Sequence, residues 1–348
     1  MTGAGGPPEG AGRRRTAAVV GCGDVATVHL EAIDALADLE LVAVCDTDPQ
    51  ALAAAVAAHD VPGYPDVAAM LAEVRPDVVH VTTPHDQHVP VVLACLEAGV
   101  NVLVEKPLAH TVAEAERIVA AAEASGARVG VCLQNRYNTT SQAARAVLDS
   151  GELGAVVGAS GTVVWTRTPD YYRAKPWRGR WASAGGGVLI NQAIHTIDLL
   201  QWLVGEVVEV SGHAATRVYG DVIEVEDSAE LVLRHAAGAR SVFYATLGHV
   251  VNRPVTLDIV CERGSLVLSG DLTITYPDGR VEVVTEREAP TTGRTYWGVS
   301  HEVLIEDFYA RLDDDEPYWI SPREALRCLR IVGEVYAQSP VPAPAGTS

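Results

Sequence analysis

Between residues 17 and 133, short apolar runs rich in valine alternate with alanine-rich stretches that repeat apolar residues at helical spacing. This alternation predicts βαβ units, which place parallel strands side by side with helices covering the sheet. We expect strands at 17–21, 41–45, 78–83, 101–104 and 128–133, and helices at 24–38, 48–59, 66–74, 86–98 and 111–125. The sequence therefore predicts an α/β fold that starts with a doubly wound parallel sheet.

The pattern changes after residue 150, where strand candidates follow one another with few helices between them. Consecutive strands without crossover helices pair in antiparallel fashion. We expect strands near 155–167, 207–218, 229–235, 239–248, 255–261 and 264–276, and helices at 190–204, 299–312 and 322–337. The second part is therefore predicted to be an α+β domain built on a largely antiparallel, open sheet.

A glycine-rich turn, GCGDVA over residues 21–26, joins the first predicted strand to the first helix. In this setting the first glycine allows a tight turn, the second lets the backbone approach a pyrophosphate, and the alanine keeps helix and sheet close. The free N–H groups of the helix N-terminus favour the anion. The turn predicts a dinucleotide-binding Rossmann domain; the predicted cofactor-binding residues here are Gly21, Gly23, Asp24, Val25 and Ala26.

Asp46 follows the second predicted strand, twenty residues beyond Ala26. A carboxylate at this position accepts hydrogen bonds from the adenosine ribose and repels a 2′-phosphate. We therefore predict NAD as the cofactor and consider NADP less favoured. Another nucleotide or a flavin in the same fold is the alternative, and an ordinary surface aspartate beside a glycine-rich turn is the simplest structural explanation.

Two further segments carry residues that could move a proton. Glu105 and Lys106 end the predicted strand 101–104, at the edge where ligands of open α/β sheets bind. A lysine desolvated there loses part of its preference for the charged form. A turn that leaves the strand with both charges in solvent would have the same sequence.

On a helix starting near residue 189, after three glycines, Asn191 and His195 share a face. A lone buried histidine is commonly structural, but the neighbouring polar residues favour a site.

The glycine turn, the Glu105-Lys106-Pro107 segment and the helix from the triple glycine to His195 and Asp198 together resemble the Gfo/Idh/MocA oxidoreductases, from about residue 16 to 338. Thr83, Pro84 and His88 after the third large strand, and His301 at the start of a late helix, fit the same resemblance. It implies a Rossmann domain, a C-terminal domain whose open sheet mediates dimers or tetramers, and NAD- or NADP-linked redox chemistry on sugars and cyclitols. It also implies a cis Lys-Pro bond in many members.

The resemblance implies that Lys106 and His195 act on the substrate hydroxyl as the catalytic pair. It further implies cofactor contacts for Thr83, Pro84, His88, Glu105 and Lys106. Many relatives carry aspartate four residues before the histidine, where this chain has Asn191. An amide orients a hydroxyl but does not take its proton at neutral pH, so a relay through that position is in doubt. The Asn-Gln variant resembles members that act on glycosides or nucleotide-linked sugars.

An aromatic and basic stretch over residues 165–181 precedes the triple glycine. Such a stretch stacks on sugar faces and binds hydroxyl or anionic groups, although subunit interfaces prefer the same residue types. Its positive charge in an acidic chain suggests a phosphate, carboxylate or nucleotide on the substrate. The predicted substrate-binding residues are Arg136, Tyr137, Tyr172, Trp177, Arg178, Trp181, Asn191 and His301.

The chain has 348 residues, which at about 150 residues per domain suggests two domains. We expect a disordered tail over 1–15, an NAD-binding Rossmann domain over 16–135, a substrate and oligomerisation domain over 136–338, and a flexible tail over 339–348. These boundaries follow the composition and the predicted elements.

The formal net charge of −19 disfavours nucleic acid and anionic membrane surfaces as partners. The apolar runs are too short for the roughly 20 residues of a transmembrane helix, and a cytoplasmic location is expected. The six cysteines form no C-x-x-C pair. His85 and His88 lack a third ligand at metal-site spacing, so we expect no metal.

Taken together, the sequence predicts an NAD(P)-dependent oxidoreductase that transfers hydride between the nicotinamide and a carbinol carbon of a sugar, glycoside, nucleotide sugar or cyclitol. The expected assembly is a homodimer or homotetramer. Two alternatives remain open: a glycosidase that oxidises its sugar transiently with bound NAD, and an NAD-binding regulator without catalysis. The identity of the sugar, the carbon attacked and the direction of the reaction are not set by the sequence.

Overall fold

A computed structural model of the protein describes residues 14–287 and 300–340. The N-terminal strands are β1 (Arg15–Val20), β2 (Leu39–Cys45), β3 (Gly63–Tyr64), β4 (Val78–Val81), β5 (Asn101–Val104) and β6 (Val129–Val131). They form one parallel sheet in the order β3-β2-β1-β4-β5-β6. Successive strands are added on one side of β1 from β1 to β3, and on its other side from β4 to β6. This switch point between β1 and β4 creates the crevice where such folds bind ligands.

The helices of this domain are α1 (Ala26–Ala35), α2 (Pro49–His59), α3 (Val67–Glu73), α4 (His88–Glu97) and α5 (Val112–Ser125). Side chains cap three of them: Asp48 accepts from the Gln50 N–H at 2.9 Å, Asp66 from Ala69 and Thr111 from Glu114. Capping satisfies backbone donors that a helix start leaves open. The expected doubly wound sheet is confirmed, with the short strand β3 as an unexpected addition.

The second domain contains β7 (Val156–Val164), β8 (Val207–Ala215), β9 (Ser228–His235), β10 (Arg240–Thr246), β11 (Thr256–Cys261), β12 (Gly264–Ser269), β13 (Asp271–Thr275) and β14 (Val281–Val284). Its sheet has the order β14-β13-β12-β11-β7-β10-β9-β8. The largely antiparallel sheet is confirmed, although β7 and β10 pair in parallel. The long connection between these two strands supplies the crossover that a parallel pair requires.

The helices of the second domain are α6 (Thr139–Ser150), α7 (Pro169–Ala174), α8 (Trp181–Ala184), α9 (Ile194–Val204), α10 (His301–Ala310) and α11 (Pro322–Gln338). The sequence did not predict α6, α7, α8 or β14. The predicted strand 264–276 is a hairpin instead, because Gly270 turns the chain with a φ of +78°. The predicted start of α10 at residue 299 lies outside the described residues.

The second sheet is covered on one face and open on the other. Helices α9 and α11 pack against the covered face, and α11 also contacts α5 of the first domain. The open face exposes apolar side chains at alternate positions of its strands, including Val157, Val232, Val242, Tyr244, Val260 and Val267. No helix within the described ranges is long and apolar enough to cross a bilayer.

The predicted tails fall mainly outside the described residues, which begin at residue 14 and end at residue 340. Arg15 begins β1, and the Ser339 hydroxyl accepts a hydrogen bond of 2.8 Å from the Ala214 N–H, so ordered structure extends into both predicted tails. The predicted domain boundary at residues 135 and 136 lies in the short 3-10 turn Gln134–Tyr137.

Candidate active site

The glycine turn has the geometry that the sequence predicts. Gly21 has a φ of +94°, and a Cβ there would lie 2.8 Å from the backbone of Thr82 and Thr83. A side chain at this position would therefore force the turn away from β4. A Cβ at Gly23 would meet no atom within 4 Å, so this part of the turn faces open space. Helix α1 follows without a side-chain cap, in contrast to α2, α3 and α5.

Asp46 fixes the same turn from the end of β2. Its carboxylate accepts hydrogen bonds from the Cys22 N–H at 2.6 Å and from the Asp48 N–H at 2.8 Å. Two backbone donors thus hold the carboxylate beside the open face of the turn. The Oγ1 of Thr83, after β4, is buried and has no partner among the described residues. An uncapped helix start, a glycine facing open space and an unpartnered hydroxyl fit a dinucleotide lying across this crevice.

His88 connects the two loops that follow β4 and β5. Its Nδ1 lies 2.8 Å from the Pro107 carbonyl oxygen, and its Nε2 lies 3.1 Å from that of Thr83. The Lys106–Pro107 peptide bond is cis, as the resemblance implies. The ring of His88 is fully buried and supports the two loops that border the crevice. Thr83 and Pro84 are partly exposed.

The structure brings Lys106 to the helix segment that carries Asn191 and His195. The Lys106 Nζ donates a hydrogen bond of 2.9 Å to the backbone carbonyl oxygen of Asn191. Burial lowers the pKa of the Lys106 amine below its ordinary value; Glu105 opposes this shift, and the charge of Arg178 adds to it. The amine is therefore held in place by the backbone carbonyl of Asn191, and it loses its proton more readily than a solvated lysine does.

His195 lies in the first turn of α9, close to Lys106. Burial lowers the pKa of His195 to about 3, and the charge of Lys106 acts in the same direction. The imidazole is neutral at pH 7 as a result. Its Nε2 lies 3.4 Å from the side-chain nitrogen of Gln134, and its Nδ1 has no partner among the described residues. Because an amide nitrogen only donates, the Nε2 of His195 is the ring nitrogen without a hydrogen, and it is the one able to accept a proton.

Glu105 is the centre of a buried polar cluster behind Lys106. Its carboxylate accepts hydrogen bonds from the Nε2 atoms of His29, at 3.0 Å, and His301, at 3.1 Å. The Nδ1 of His29 lies 2.8 Å from the Nδ1 of His80, whose Nε2 lies 2.9 Å from the Tyr309 hydroxyl. Burial opposes ionisation of Glu105, but the hydrogen bonds from both histidines hold its pKa well below the ordinary value.

The donor atoms of His29, Glu105 and His301 lie within 4.8 Å of one another, a spacing that a metal ion could use. The hydrogen bonds to Glu105 account for this grouping, and a ligating histidine normally donates its second ring nitrogen to an acceptor. The Nδ1 of His301 has no partner among the described residues. The expectation of no metal therefore stays a prediction. His301, which was predicted to bind substrate, contacts Glu105 and is only 2% exposed.

The triple glycine packs against three other parts of the chain. A Cβ at Gly185 would lie 1.8 Å from the His110 carbonyl oxygen, and a Cβ at Gly187 would lie 1.8 Å from that of Glu226. The following residues Val188–Ala193 form a π-helix that leads into α9. The glycines thus allow close backbone approach, and the approach fixes where the segment bearing His195 begins.

Arg136, Tyr137 and Asp198 form buried interactions of their own. Arg136 is 1% exposed and makes a bidentate pair with Asp198, at 2.8 and 2.7 Å, and a third bond to Glu324. The Tyr137 hydroxyl donates to Asp307. These residues tie the start of the second domain to α9, α10 and α11, and the guanidinium of Arg136 is engaged by Asp198 and Glu324.

The aromatic and basic stretch divides between two places. Arg178 pairs with Asp24 of the glycine turn at 3.2 Å, and Trp177 packs edge-on against His85, with ring centroids 4.9 Å apart. Trp181 instead donates to the Glu224 carbonyl and lines a separate cavity of about 190 Å³. Tyr172 is 4% exposed. Arg178 and Trp177 therefore border the crevice, whereas Trp181 lies at the separate cavity.

Sequence patterns did not indicate His29, His80, Gln134 or Glu226. The two histidines lie in buried positions of α1 and β4, more than fifty residues apart, and only the fold brings them to Glu105. Glu226 precedes β9 and has no motif around it. Their roles depend on tertiary contacts, so no local signal was available.

Residues 15–133 match the family described as "Oxidoreductase family, NAD-binding Rossmann fold", and residues 141–267 match the "GFO/IDH/MocA C-terminal domain". A D-apiose dehydrogenase of Paraburkholderia graminis is 32% identical over 335 residues, which cover 92% of this chain and 82% of the relative. The chain belongs to the Gfo/Idh/MocA oxidoreductases. The resemblance of the sequence to this family is thereby confirmed.

Other members of the Gfo/Idh/MocA family are also similar. A D-glucoside 3-dehydrogenase of Escherichia coli is 33% identical over 208 residues, which cover 58% of each protein. The crystal structure of the WlbA dehydrogenase from Bordetella pertussis, in complex with NADH and UDP-GlcNAcA, superposes with a TM-score of 0.82 at 30% identity. It covers 96% of this chain and 100% of that one. The two-domain architecture is thus the one found in this family.

Proposed function

We propose that the protein is an NAD-dependent dehydrogenase that oxidises a carbinol carbon of a neutral sugar or glycoside, or reduces the corresponding ketone. One observation carries the proposal: the Lys106 amine, at the carboxyl edge of the Rossmann sheet, is bonded to the segment that holds His195. Two proton-active groups from different domains thus meet beside the dinucleotide crevice. The family relationship supports oxidoreductase chemistry at this place.

NAD is the proposed cofactor because of Asp46. The carboxylate is held by the Cys22 and Asp48 N–H groups and retains acceptor capacity for ribose hydroxyls. A 2′-phosphate would approach this negative charge and be repelled. When bound, the dinucleotide supplies the hydride acceptor, and the residues that would hold it are Gly21, Gly23, Asp24, Val25, Ala26, Asp46, Thr83, Pro84 and Lys106, with Glu105 and His88 supporting them.

His195 is the proposed proton acceptor. Its low pKa keeps the ring neutral at pH 7, and its Nε2, whose contact with the Gln134 amide nitrogen is long at 3.4 Å, is the nitrogen that takes the proton of the substrate hydroxyl. Lys106 hydrogen-bonds the same substrate oxygen and stabilises negative charge as the proton leaves. The carbonyl oxygen of Asn191 orients the amine, so the Asn191 side chain is available to orient a second hydroxyl.

A neutral substrate is favoured because the basic groups near the crevice already have partners. Arg178 pairs with Asp24, and Arg173 pairs with Asp170 on the exposed side of α7. A guanidinium engaged in this way offers less to a phosphate or carboxylate. The ring centroids of Tyr171 and Trp177 lie 4.4 and 5.8 Å from the Arg178 guanidinium, and these rings are the aromatic groups proposed to contact a sugar ring at this border. The apiose and glucoside dehydrogenases among the relatives support the same substrate class.

The function is tested by incubating the purified protein with NAD or NADP and a panel of free sugars, glycosides, cyclitols and nucleotide sugars. NADH formation is followed by absorbance. The expected result is stoichiometric NADH with at least one neutral sugar or glycoside and a preference for NAD. Cleavage of a glycoside without net NADH would indicate the transient-oxidation glycosidase instead, and no turnover with any compound would contradict the proposal.

We also propose that the protein forms a homodimer or homotetramer in the cytoplasm through the open face of the second sheet. Val232 and Val242 are directly opposite each other on β9 and β10, and both are about half exposed. Apolar side chains at such positions favour burial against a second copy. In light scattering, Val242→Glu is expected to yield monomers, and an unchanged mass would contradict this interface.

A further inference from the structure

Glu226 is a buried carboxylic acid at the start of the segment that carries the active-site residues. Its Oε2 accepts a hydrogen bond from the Gly187 N–H at 2.7 Å, and its Oε1 accepts one from the Leu189 N–H at 2.9 Å. The Tyr336 hydroxyl of α11 donates to the same Oε1 at 2.8 Å. The side chain is thus bound to three donors and is 2% exposed.

The backbone of Glu226 strengthens the same attachment. Its carbonyl oxygen accepts from the Val188 N–H at 3.0 Å, so three consecutive N–H groups, of residues 187–189, bind one residue. The close approach requires the glycines: a Cβ at Gly186 would lie 2.0 Å from the Tyr336 hydroxyl. No other single residue is seen to bind the start of the π-helix in this way within the described chain.

We infer that Glu226 is a positioning residue whose ionised carboxylate holds the segment with Asn191 and His195 in its active place. The inference rests on the proposed function, because the segment matters for catalysis only if Lys106 and His195 act on a substrate. Glu226 itself lies beneath the segment and touches neither Lys106 nor His195 in any contact of the described chain.

The protonation state of Glu226 decides how many of these bonds survive. An ionised carboxylate accepts all three hydrogen bonds, whereas the protonated acid must use one oxygen partly as a donor. One of the three donors, Gly187, Leu189 or Tyr336, would then lose its acceptor, and a buried donor without a partner is costly. Burial raises the pKa of Glu226 to about 7, while the bonds from Leu189, Tyr336 and Gly187 oppose the shift. The change between the two states therefore falls near neutral pH.

No other described group that faces Glu226 accounts for a change in protonation near neutral pH. The adjacent cavity of about 190 Å³ is otherwise lined by uncharged residues among those described: Trp181, Ala214, Ala215, Thr216, Tyr336, Ser339 and Pro340. Burial and the Glu226 carboxylate keep the pKa of Tyr336 well above its ordinary value, so this phenol remains a donor. The neighbouring Asp227 directs its carboxylate to the N–H groups of Arg217, Val218 and Tyr219.

Glu226→Gln is the direct test, because the amide has the same shape but cannot ionise. In the wild-type protein we expect kcat to rise with pH through about 7. In Glu226→Gln we expect kcat at pH 8 to be lower by about tenfold, with the rise near pH 7 absent and the Kd for NAD unchanged. Tyr336→Phe removes one donor to the ionised form, so its rise in kcat is expected at a higher pH than in the wild-type protein.

Glu230→Gln is the matched control, because Glu230 lies on β9 with an exposed side chain. It should keep both kcat and the pH profile. A wild-type pH profile and kcat in Glu226→Gln would overturn the inference. A low kcat at all pH values combined with a raised Kd for NAD would also overturn it, since that pattern indicates general disruption of the fold.

Amide hydrogen exchange separates this inference from the proposed function. Residues 187–195 are expected to lose protection in Glu226→Gln compared with the wild-type protein, whether or not a substrate has been found. Retained protection would overturn the inference. Absence of NADH formation by the wild-type protein with every compound would instead overturn the proposed function, and with it the catalytic meaning of the segment.

Discussion

The side-chain amine of Lys106 donates a 2.9 Å hydrogen bond to the backbone carbonyl oxygen of Asn191, four residues before His195. The bond joins the end of β5 in the first domain to the π-helix in the second. Its acceptor is backbone, so the amine is oriented whatever side chain occupies position 191. The asparagine that stands where many relatives carry aspartate therefore leaves the placement of Lys106 intact.

The buried histidines make the fold sensitive to acid. Burial lowers the pKa values of His29, His80, His85 and His88, so the folded protein keeps these rings neutral where an unfolded chain protonates them. Below about pH 6.5 the unfolded state binds more protons, and the free energy of unfolding falls by up to about 1.4 kcal/mol per pH unit for each such histidine. Glu226 opposes this trend, since its raised pKa lets the folded state bind a proton below about pH 7.

Urea unfolding at pH 7.5, 6.5 and 5.5 measures this effect. We expect the free energy of unfolding to decrease steadily across the series, because six histidines with lowered pKa values, the four above together with His195 and His235, outweigh Glu226. His80→Gln should reduce the slope, although the variant loses the bonds to His29 and Tyr309 and is less stable at pH 7.5. A free energy of unfolding that is constant or rises toward pH 5.5 would contradict the neutral, buried state of these rings.

The ion pair of Arg136 and Asp198 predicts a strong effect on stability and a weak one on chemistry. Asp198→Asn leaves the buried guanidinium with Glu324 as its remaining carboxylate, and we expect a loss of up to about 3–5 kcal/mol. Asp149→Asn breaks the exposed pair with Arg145 and should cost at most about 1 kcal/mol. Denaturant unfolding compares the two variants. Equal losses, or an Asp198→Asn protein that folds fully but has lost its turnover, would argue against a structural role.

The carboxylate of Asp46 predicts the cofactor preference. Asp46→Ala removes the proposed acceptor for the ribose hydroxyls, so the Kd for NAD should rise about tenfold or more, whereas the Kd for NADP should change less. Isothermal titration with both dinucleotides measures the two constants. Asp48→Ala is a suitable control because it removes the cap of α2 and leaves Asp46 in place. Equal weakening of NAD and NADP would remove the reason for preferring NAD.

The elements with clear local signals were predictable from the sequence. Apart from β3, the strands and helices of the first domain follow the apolar pattern to within a few residues, because these strands are largely buried and three helices start at a capping side chain. The glycine turn and the cis Lys106–Pro107 bond also agree with expectation. In these cases the residues that decide the structure are neighbours in the chain.

The parts that were missed depend on contacts between distant residues. Helix α6 was not predicted, and the β7–β10 pair is parallel only because of the long connection between the two strands. The pairing of Arg136 with Asp198 was not predicted, and the cluster of His29, His80 and Glu105 joins three separate elements. Spacing along the chain contains no information about such encounters.

The central claim is that Lys106 and His195 act together on the substrate beside a bound dinucleotide. The most direct measurement is the steady-state rate of NADH formation by Lys106→Met and His195→Ala on the best substrate, with the Kd for NADH measured in parallel. Arg323→Met and His213→Ala are controls with a basic residue and a histidine whose side chains are accessible to solvent outside the proposed site. We predict that kcat falls about 10²- to 10⁴-fold in both site variants, while NADH binding by His195→Ala and both controls remain near the wild-type values. Near-normal turnover in both site variants would contradict the account.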